Sequence, residues 1–498
     1  MLSTKTLQKP CRGCGSKGPE DTVNPRWWLP GIVVVEFERD FSPGSIFGTA
    51  EPITYKTKDL SWVDITKLRQ LTGHLLVKPP KWTFSFEPGQ VPSSPNYLRF
   101  ITLTLRPETD VPAIAKKLGH VRGVKRASPE PILSPPIKRI PLRPYALPRN
   151  SVQADTVADT AAPQGLRNEP LAVSGGASFG VVTVNADNLQ NQWYLFRSNI
   201  ADVVESRTYG TGVVVADIDW GFNLDHQEFQ NRIKFKYNAA GNTDDLSSGP
   251  NIWHGTAALG LIGAGDNDAG MLGFACGADL WAIMGQDSGP NLDNECWAKA
   301  IQKVIDEPST GRKVILVEAS TDGQYNVETS PSVYEPIQAA INAGCVVVVP
   351  AGNRGVDARE GPGILDVPDE PDKPQPILVG ATQYRDDKDD IKRGDSNWGP
   401  RVVVSAPGDV AADVTSCACG TDTYTNSFGG TSGASAKVAG AMALVLQRFP
   451  EVTHQQIVKV LRTRMPQITN ADDENHEMGC FLNVQDLLHQ IDLYLSEL

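Results

Sequence analysis

The chain has 498 residues, 40% of them hydrophobic and 21% charged, long enough for two or more domains, one of which can bury a large core. A formal net charge of −12 argues against nucleic acid as the main partner, since phosphate binding needs a basic footprint. No apolar run is long enough to cross a bilayer, and eight cysteines in a chain of this length make no disulfide framework.

Residues 1–28 read as a disordered tail. Met1 to Gly18 is polar and basic without the apolar stretch of a secretory leader, so the expectation is a cytoplasmic protein. Cys11 and Cys14 form one CxxC pair with no second pair or His nearby, which favours a tail over zinc. Residues 29–128 follow a βαββαβ order, the α+β ferredoxin-like plan. Gly31–Glu38 is a strand candidate and Trp62–Leu71 has helical spacing, while Lys81–Phe86 and Leu98–Leu105 alternate as strands do. Asp110 then offers an N-cap, with Pro112 in the first turn of a helix reaching Leu118, and Gly123–Ala127 closes the series as a strand.

Residues 129–185 are rich in Pro, Ser, Ala and Gly and read as a linker, extended where Pro is dense. Between Lys116 and Arg149 nine basic residues face a lone Glu130, whereas acidic excess gathers later, at Asp366–Asp372 and Asp386–Asp390. Opposite charge in two parts of one chain favours docking of one on the other.

From 186 to 498 short apolar runs alternate with helical patterns. Strands are expected at Gly212–Ile218, Asp279–Met284, Lys313–Val317, Cys345–Pro350, Ile377–Gly380 and Val402–Ser405, with helices at Gly255–Ile262, Trp297–Ile305 and Tyr334–Ala343. Continuous Val/Ile runs mark strands covered on both faces. The second unit is therefore a doubly wound α/β domain with a mostly parallel sheet, whose sites lie at the carboxyl ends of strands.

Three polar residues fall where such a sheet would hold a site. Asp219 ends the run Val213–Ile218, His254 opens an apolar helix in Trp253-His254-Gly255-Thr256, and Ser432 sits in Gly430-Thr431-Ser432-Gly433-Ala434 at the start of the last long helix. The order Asp, His, Ser on an α/β fold is one convergent arrangement for acyl transfer. A Ser hydroxyl needs an imidazole to take its proton, and a carboxylate fixes that imidazole's tautomer. The other six His residues, His226 and His454 among them, stand in polar, surface-like contexts. Asn353 follows the buried run Val346–Val349 on a glycine turn and has the amide of an oxyanion donor; a turn residue tolerating left-handed φ is the alternative. For the Ser432 stretch alone, a Gly/Ser loop capping a core helix stays open as well.

Together these motifs resemble the subtilisin-type serine peptidases, the subtilase family, over about Ala186 to Val484. Asp217-Ile218-Asp219-Trp220-Gly221 matches the family's Asp motif, His254-Gly255-Thr256 its HGT motif, Ala351-Gly352-Asn353 its oxyanion segment, and Gly430–Ala434 its GTSxA motif. The resemblance implies a serine endopeptidase acting on polypeptides, with no required cofactor and no nucleic-acid or membrane partner. It implies a substrate-lining strand at Glu318-Ala319-Ser320, where Glu318 either faces the specificity pocket, favouring basic P1 residues, or points away. It also aligns Gly265–Gly270 with a calcium loop, with Glu228 and Asn267 as candidate Ca2+ ligands; an ordinary turn is the other reading. The front βαββαβ unit resembles subtilase propeptides, which implies a zymogen in which residues 29–128 serve as chaperone and inhibitor; a separate ligand-binding domain of similar topology is the alternative. Lys125–Ile132, or the Pro-rich stretch beyond, would then enter the cleft. The competing functional reading is an inactive peptide-binding or scaffold protein on the same fold. Departures from the family are Ala257 after HGT and Ala436-Lys437 after the nucleophile, neither of which removes a triad member.

Overall fold

A computed structural model describes residues 28–40, 60–82, 99–134 and 192–498, the last with short gaps at 201–202, 204–206, 250, 268–269, 287–293, 322–323, 362–373, 386–387, 409–415, 426–427 and 470–475. The expected tail and most of the expected linker lie outside these residues. In the front part β1 (Trp28–Phe37), α1 (Ile65–Thr72), β2 (Lys81–Trp82), β3 (Phe100–Thr104), α2 (Val111–Leu118) and β4 (Val124–Pro131) follow in turn. The sheet is antiparallel in the order β2-β3-β1-β4. Asp110 caps α2 by accepting the Ala113 N–H at 3.1 Å, and Pro112 occupies its first turn.

Because side chains alternate along a strand, β1 serves two cores. Val33, Val35 and Phe37 pack with Leu68, Ile101, Leu103 and Leu118 beneath the front helices. On the opposite face Val34 and Phe100 meet Ala298 and Ala339, which belong to helices of the second part.

β4 runs three residues past position 128, where a linker was expected to begin, and the chain passes at once into β5 (Leu133–Ser134). Pro129 and Pro131, which read as linker, are tolerated because β4 is an edge strand whose outer N–H groups need no partner.

The second part continues through α3 (Trp193–Arg197), β6 (Val213–Asp219), β7 (Ile233–Asn238), α4 (Ile252–Gly263), β8 (Asp279–Met284), α5 (Glu295–Asp306), β9 (Arg312–Val317), β10 (Ser320–Thr321) and β11 (Tyr325–Asn326). Then come α6 (Pro331–Asn342), β12 (Val346–Pro350), β13 (Ile377–Arg385), β14 (Lys388–Lys392), β15 (Val404–Pro407), β16 (Ser416–Cys417), β17 (Tyr424–Thr425), α7 (Gly430–Arg448), α8 (His454–Thr463), β18 (Gln467–Thr469), β19 (Glu477–Phe481) and α9 (Val484–Ser496). The main sheet runs β18-β19-β15-β13-β12-β9-β6-β8-β7, with β14 on β13. Its pairings are parallel except β13 with β14 and β18 with β19.

All seven residues of β6 are buried, as a strand covered on both faces requires. Val213 and Val215 enter the core under α4 and α7, while Val214, Ala216 and Ile218 enter the core under α5 and α6. β6 pairs with the later strands β8 and β9 on its two sides, so the strand order reverses here, and its carboxyl end is the position at which sheets of this kind form a crevice. α7 is buried from Gly430 to Leu446. Its small residues let it press on the sheet and on neighbouring loops; a Cβ at Gly440 would lie 2.5 Å from the Phe274 side chain.

Candidate active site

The crevice at the end of β6 collects the four residues that the motifs single out. Asp219 is the last residue of β6, His254 lies in the first turn of α4, and Ser432 lies in the first turn of α7. His254 Nδ1 stands 2.9 and 2.8 Å from the two Asp219 carboxylate oxygens, and Nε2 stands 3.1 Å from Ser432 Oγ. A carboxylate can only accept here, so it takes the Nδ1–H and leaves Nε2 with its lone pair toward the serine hydroxyl. The Trp220 N–H donates to Asp219 Oδ1 at 2.6 Å and fixes the carboxylate. Trp253 and Phe428 meet the imidazole at 75° and 79° and also touch each other, forming an apolar corner beside it. Burial alone would push the His254 pKa down, but the Asp219 charge and hydrogen bond override it and the value is raised. Such a pair favours the imidazolium that forms when a serine proton is taken.

Asn353 follows β12 through Gly352, whose φ of +99° suits glycine and where a Cβ would collide with the Gln324 carbonyl at 2.3 Å. Asn353 Oδ1 accepts the Thr431 N–H at 3.0 Å. Since that partner is a donor, it fixes which end of the amide is the oxygen. Gly430, at φ +63°, brings the two segments this close: its Cβ would stand 3.1 Å from Asn353 Oδ1. The helix start leaves the Ser432 N–H without an intrahelical acceptor. Asn397 braces the turn, donating to the Ala351 and Gln324 carbonyls at 2.8 and 3.1 Å and accepting from the Arg354 and Val356 N–H groups. Asn397 is not among the residues that the motifs above single out.

The other expected site residues are distributed differently. Glu318 follows β9, and its carboxyl turns to α7, where Ser435 Oγ lies 2.7 Å from Oε1. Ala319 is buried in the core under α5 and α6. Ser320 belongs to β10, which lies between β11 and β5, so Ser320 pairs with Ser134 and Thr321 with Leu133 of the chain's own front part.

Glu228 and Asn267 do adjoin the 265–270 loop, of which residues 268 and 269 lie outside the described residues. Glu228 Oε1 accepts the Met271 N–H at 3.2 Å and the Tyr424 hydroxyl at 2.6 Å. That hydroxyl also takes hydrogen bonds from Gln227 Nε2 and the Gly270 N–H, and Asn267 Nδ2 donates to the Gln227 carbonyl. Burial raises the Glu228 pKa, and no group of three His, Cys, Asp or Glu able to hold a metal exists among the described residues. Glu228 Oε1 is thus engaged by two protein donors, while Oε2 has no hydrogen-bond partner among the described residues. On the engagement of Oε1 and the raised pKa we expect the unfolding midpoint to be the same in calcium and in EGTA. A calcium-dependent rise beyond about 5 °C, the scale of ~2.7 kcal/mol of binding energy, would overturn this.

Two of the remaining histidines correct the sequence reading. His226 and His454 are buried, not surface residues. His226 bridges the Glu228 N–H and the Thr423 carbonyl, and His454 bridges the Val347 N–H and the Gln375 carbonyl, with burial pushing its pKa down to about 4.

This fold and this crevice define a class. The Subtilase family model matches residues 210–480, and the chain belongs to that family. It is 29% identical over 301 residues to subtilisin-like protease 2 of Arthroderma otae, covering 58% of this chain and 63% of the relative. It is 31% identical over 257 residues to an intracellular serine protease of Paenibacillus polymyxa, covering 50% of this chain and 70% of the relative. The chain thus spans 63% of the length of the Arthroderma relative. Among solved structures it resembles fervidolysin of Fervidobacterium pennivorans, a keratinolytic enzyme related to subtilisin, with a TM-score of 0.58 at 18% identity over 93% of this chain and 61% of that one. That likeness bears on the fold alone.

Proposed function

We propose that the chain is a serine endopeptidase that hydrolyses peptide bonds through Asp219, His254 and Ser432, and that its front part holds it inhibited. The observation that carries the first half is the His254 ring spanning Asp219 and Ser432 Oγ at hydrogen-bond distances on both sides. In this reading His254 Nε2 takes the Ser432 proton as Oγ attacks the carbonyl carbon, and Asp219 stabilises the imidazolium. The oxyanion is held by Asn353 Nδ2 and the Ser432 N–H. His254 then returns the proton to the leaving amine, and water releases the acyl group by the same route in reverse. Incubating the full-length protein and its Glu130→Ala variant, whose front part docks less tightly, with a fluorophosphonate and mapping the modified peptide tests this: modification on Ser432 in either supports it, and an unmodified Ser432 in both folded proteins overturns it.

Three contacts support inhibition by the front part, residues 29–128 with the strand that leaves it. Val34 and Phe100 cover Ala298 and Ala339. Backbone groups of β5 occupy β10 as an extended substrate would. Glu130 of β4 is buried at the start of α6, accepting from Asn294 Nδ2 at 2.6 Å and Ser330 Oγ at 2.8 Å. A tethered segment competes at high effective concentration, so modest affinity is enough to block a site.

Glu130 gives a signed prediction. Burial raises its pKa from the ordinary 4.5 to about 7, against the lowering effect of its hydrogen-bond donors. The docked state therefore holds this proton more tightly than the undocked state, and docking weakens as pH rises from about 4.5 to about 7. Glu130→Ala should leave Ser330 Oγ without its Glu130 acceptor and Asn294 Nδ2 with the Pro131 carbonyl alone, and raise peptide hydrolysis by the full-length chain about 10-fold. An initial rate unchanged by the substitution would count against a docked inhibitor.

A further inference from the structure

Beside the Asp219, His254 and Ser432 line lies a second group of acids that the peptidase reading does not use. Asp217 and Glu318 are fully buried. Both Asp217 oxygens and Glu318 Oε2 have no hydrogen-bond partner among the described residues. The groups facing Glu318 are Asp217 and Asp219 from β6, His254 from α4, and the Ser432 and Ser435 hydroxyls from α7. Its backbone is held too, the N–H donating to the Ile218 carbonyl at 2.9 Å and the carbonyl accepting Trp220 Nε1 at 2.9 Å.

The hydrogen-bond count around Ser435 decides the state of this acid. Ser435 Oγ lies 2.9 Å from the Ser432 carbonyl oxygen and 2.7 Å from Glu318 Oε1. A hydroxyl has one proton to give. If it goes to the Ser432 carbonyl, the bond to Glu318 needs a proton from Glu318 itself. The neutral acid thus completes the relay Glu318 O–H to Ser435 O–H to Ser432 C=O, whereas the anion can keep only one of the two bonds.

We propose that Glu318 is a positioning residue of the active site: as a neutral acid it steadies the turn bearing Ser432 through Ser435, and by ionising it switches hydrolysis off at alkaline pH. Burial pushes the Glu318 pKa up to about 8, with Asp219 also raising it and His254, Ser435 and Ser432 lowering it. Below that value the relay is intact. Above it a second negative charge joins Asp219 in a dry pocket, keeps the imidazole protonated and repels the developing oxyanion.

This inference rests on the peptidase reading, and the two can fail separately. The test is the pH profile of kcat on a soluble peptide for the full-length protein and its E318Q variant. Wild type should lose about 10-fold per pH unit beyond the ionisation. In E318Q the amide still donates to Ser435 but cannot ionise, so neutral-pH kcat should drop about 3-fold while the alkaline fall disappears. A merely structural residue would change the rate and leave the limb in place. If E318Q does not fold, infrared titration of wild type decides: loss of a protonated-carboxyl band at the midpoint of the kcat limb supports the inference. A limb without that loss, or an E318Q limb identical to wild type, overturns it. If neither wild type nor Glu130→Ala hydrolyses peptide or reacts with fluorophosphonate, the underlying reading sinks instead.

Discussion

Ser432→Ala should lower peptide hydrolysis on the order of 10^6-fold, because in the peptidase reading the hydroxyl 3.1 Å from His254 Nε2 is the group that forms the acyl-enzyme. Removing the oxygen costs the fold little. The hydroxyl makes its hydrogen bond to His254, and the backbone of the first turn stays in place through the Gly433 N–H to Gly429 carbonyl bond at 3.0 Å. The substitution should therefore separate chemistry from stability, with kcat/KM collapsing while the circular-dichroism melt stays within a few degrees. A variant retaining a tenth of the wild-type rate would mean that another nucleophile does the work.

Asn353→Ala should reduce kcat by about 10^2- to 10^3-fold with KM nearly unchanged, the loss expected when one donor to a tetrahedral oxyanion is removed. Asn353 has a second task, since its oxygen takes the Thr431 N–H. Alanine removes both. Asn353→Asp keeps the acceptor and replaces the donor with a negative charge, so it separates them. If oxyanion stabilisation dominates, the Asp variant is at least as impaired as the Ala variant. Recovery of activity in Asn353→Asp would instead give the side chain a purely architectural role.

The central sheet was legible because its strands are long, apolar and nearly free of charge. Val346–Val349 and Val213–Val215 can only be buried on both faces, and both are. The small residues of α7 and the glycine turns beside Asp219, His254 and Asn353 were equally plain, being local requirements of tight packing. What escaped notice depends on partners far away in the chain. The Lys-bearing strand β7 alternates half-exposed and exposed side chains at the sheet edge, so it lacks the apolar run that identified the others. β5 and β10 are two residues each, too short for any periodicity. Glu130 stands in a basic stretch and looks like a solvated charge until Asn294 and Ser330, 164 and 200 residues away, close around it. His226 and His454 misled for the same reason, since polar neighbours in sequence do not reveal the carbonyls that meet their rings.

Because β10 holds β5 through main-chain atoms, whatever replaces β5 must arrive uncoiled. A helix cannot present free amides and carbonyls in a line, and a strand inside a finished sheet has already spent them. In the peptidase reading, selection among proteins then works first on their looseness and only afterwards on their side chains: frayed ends, exposed connectors and damaged or unfinished molecules are open to it, and well-folded ones are spared.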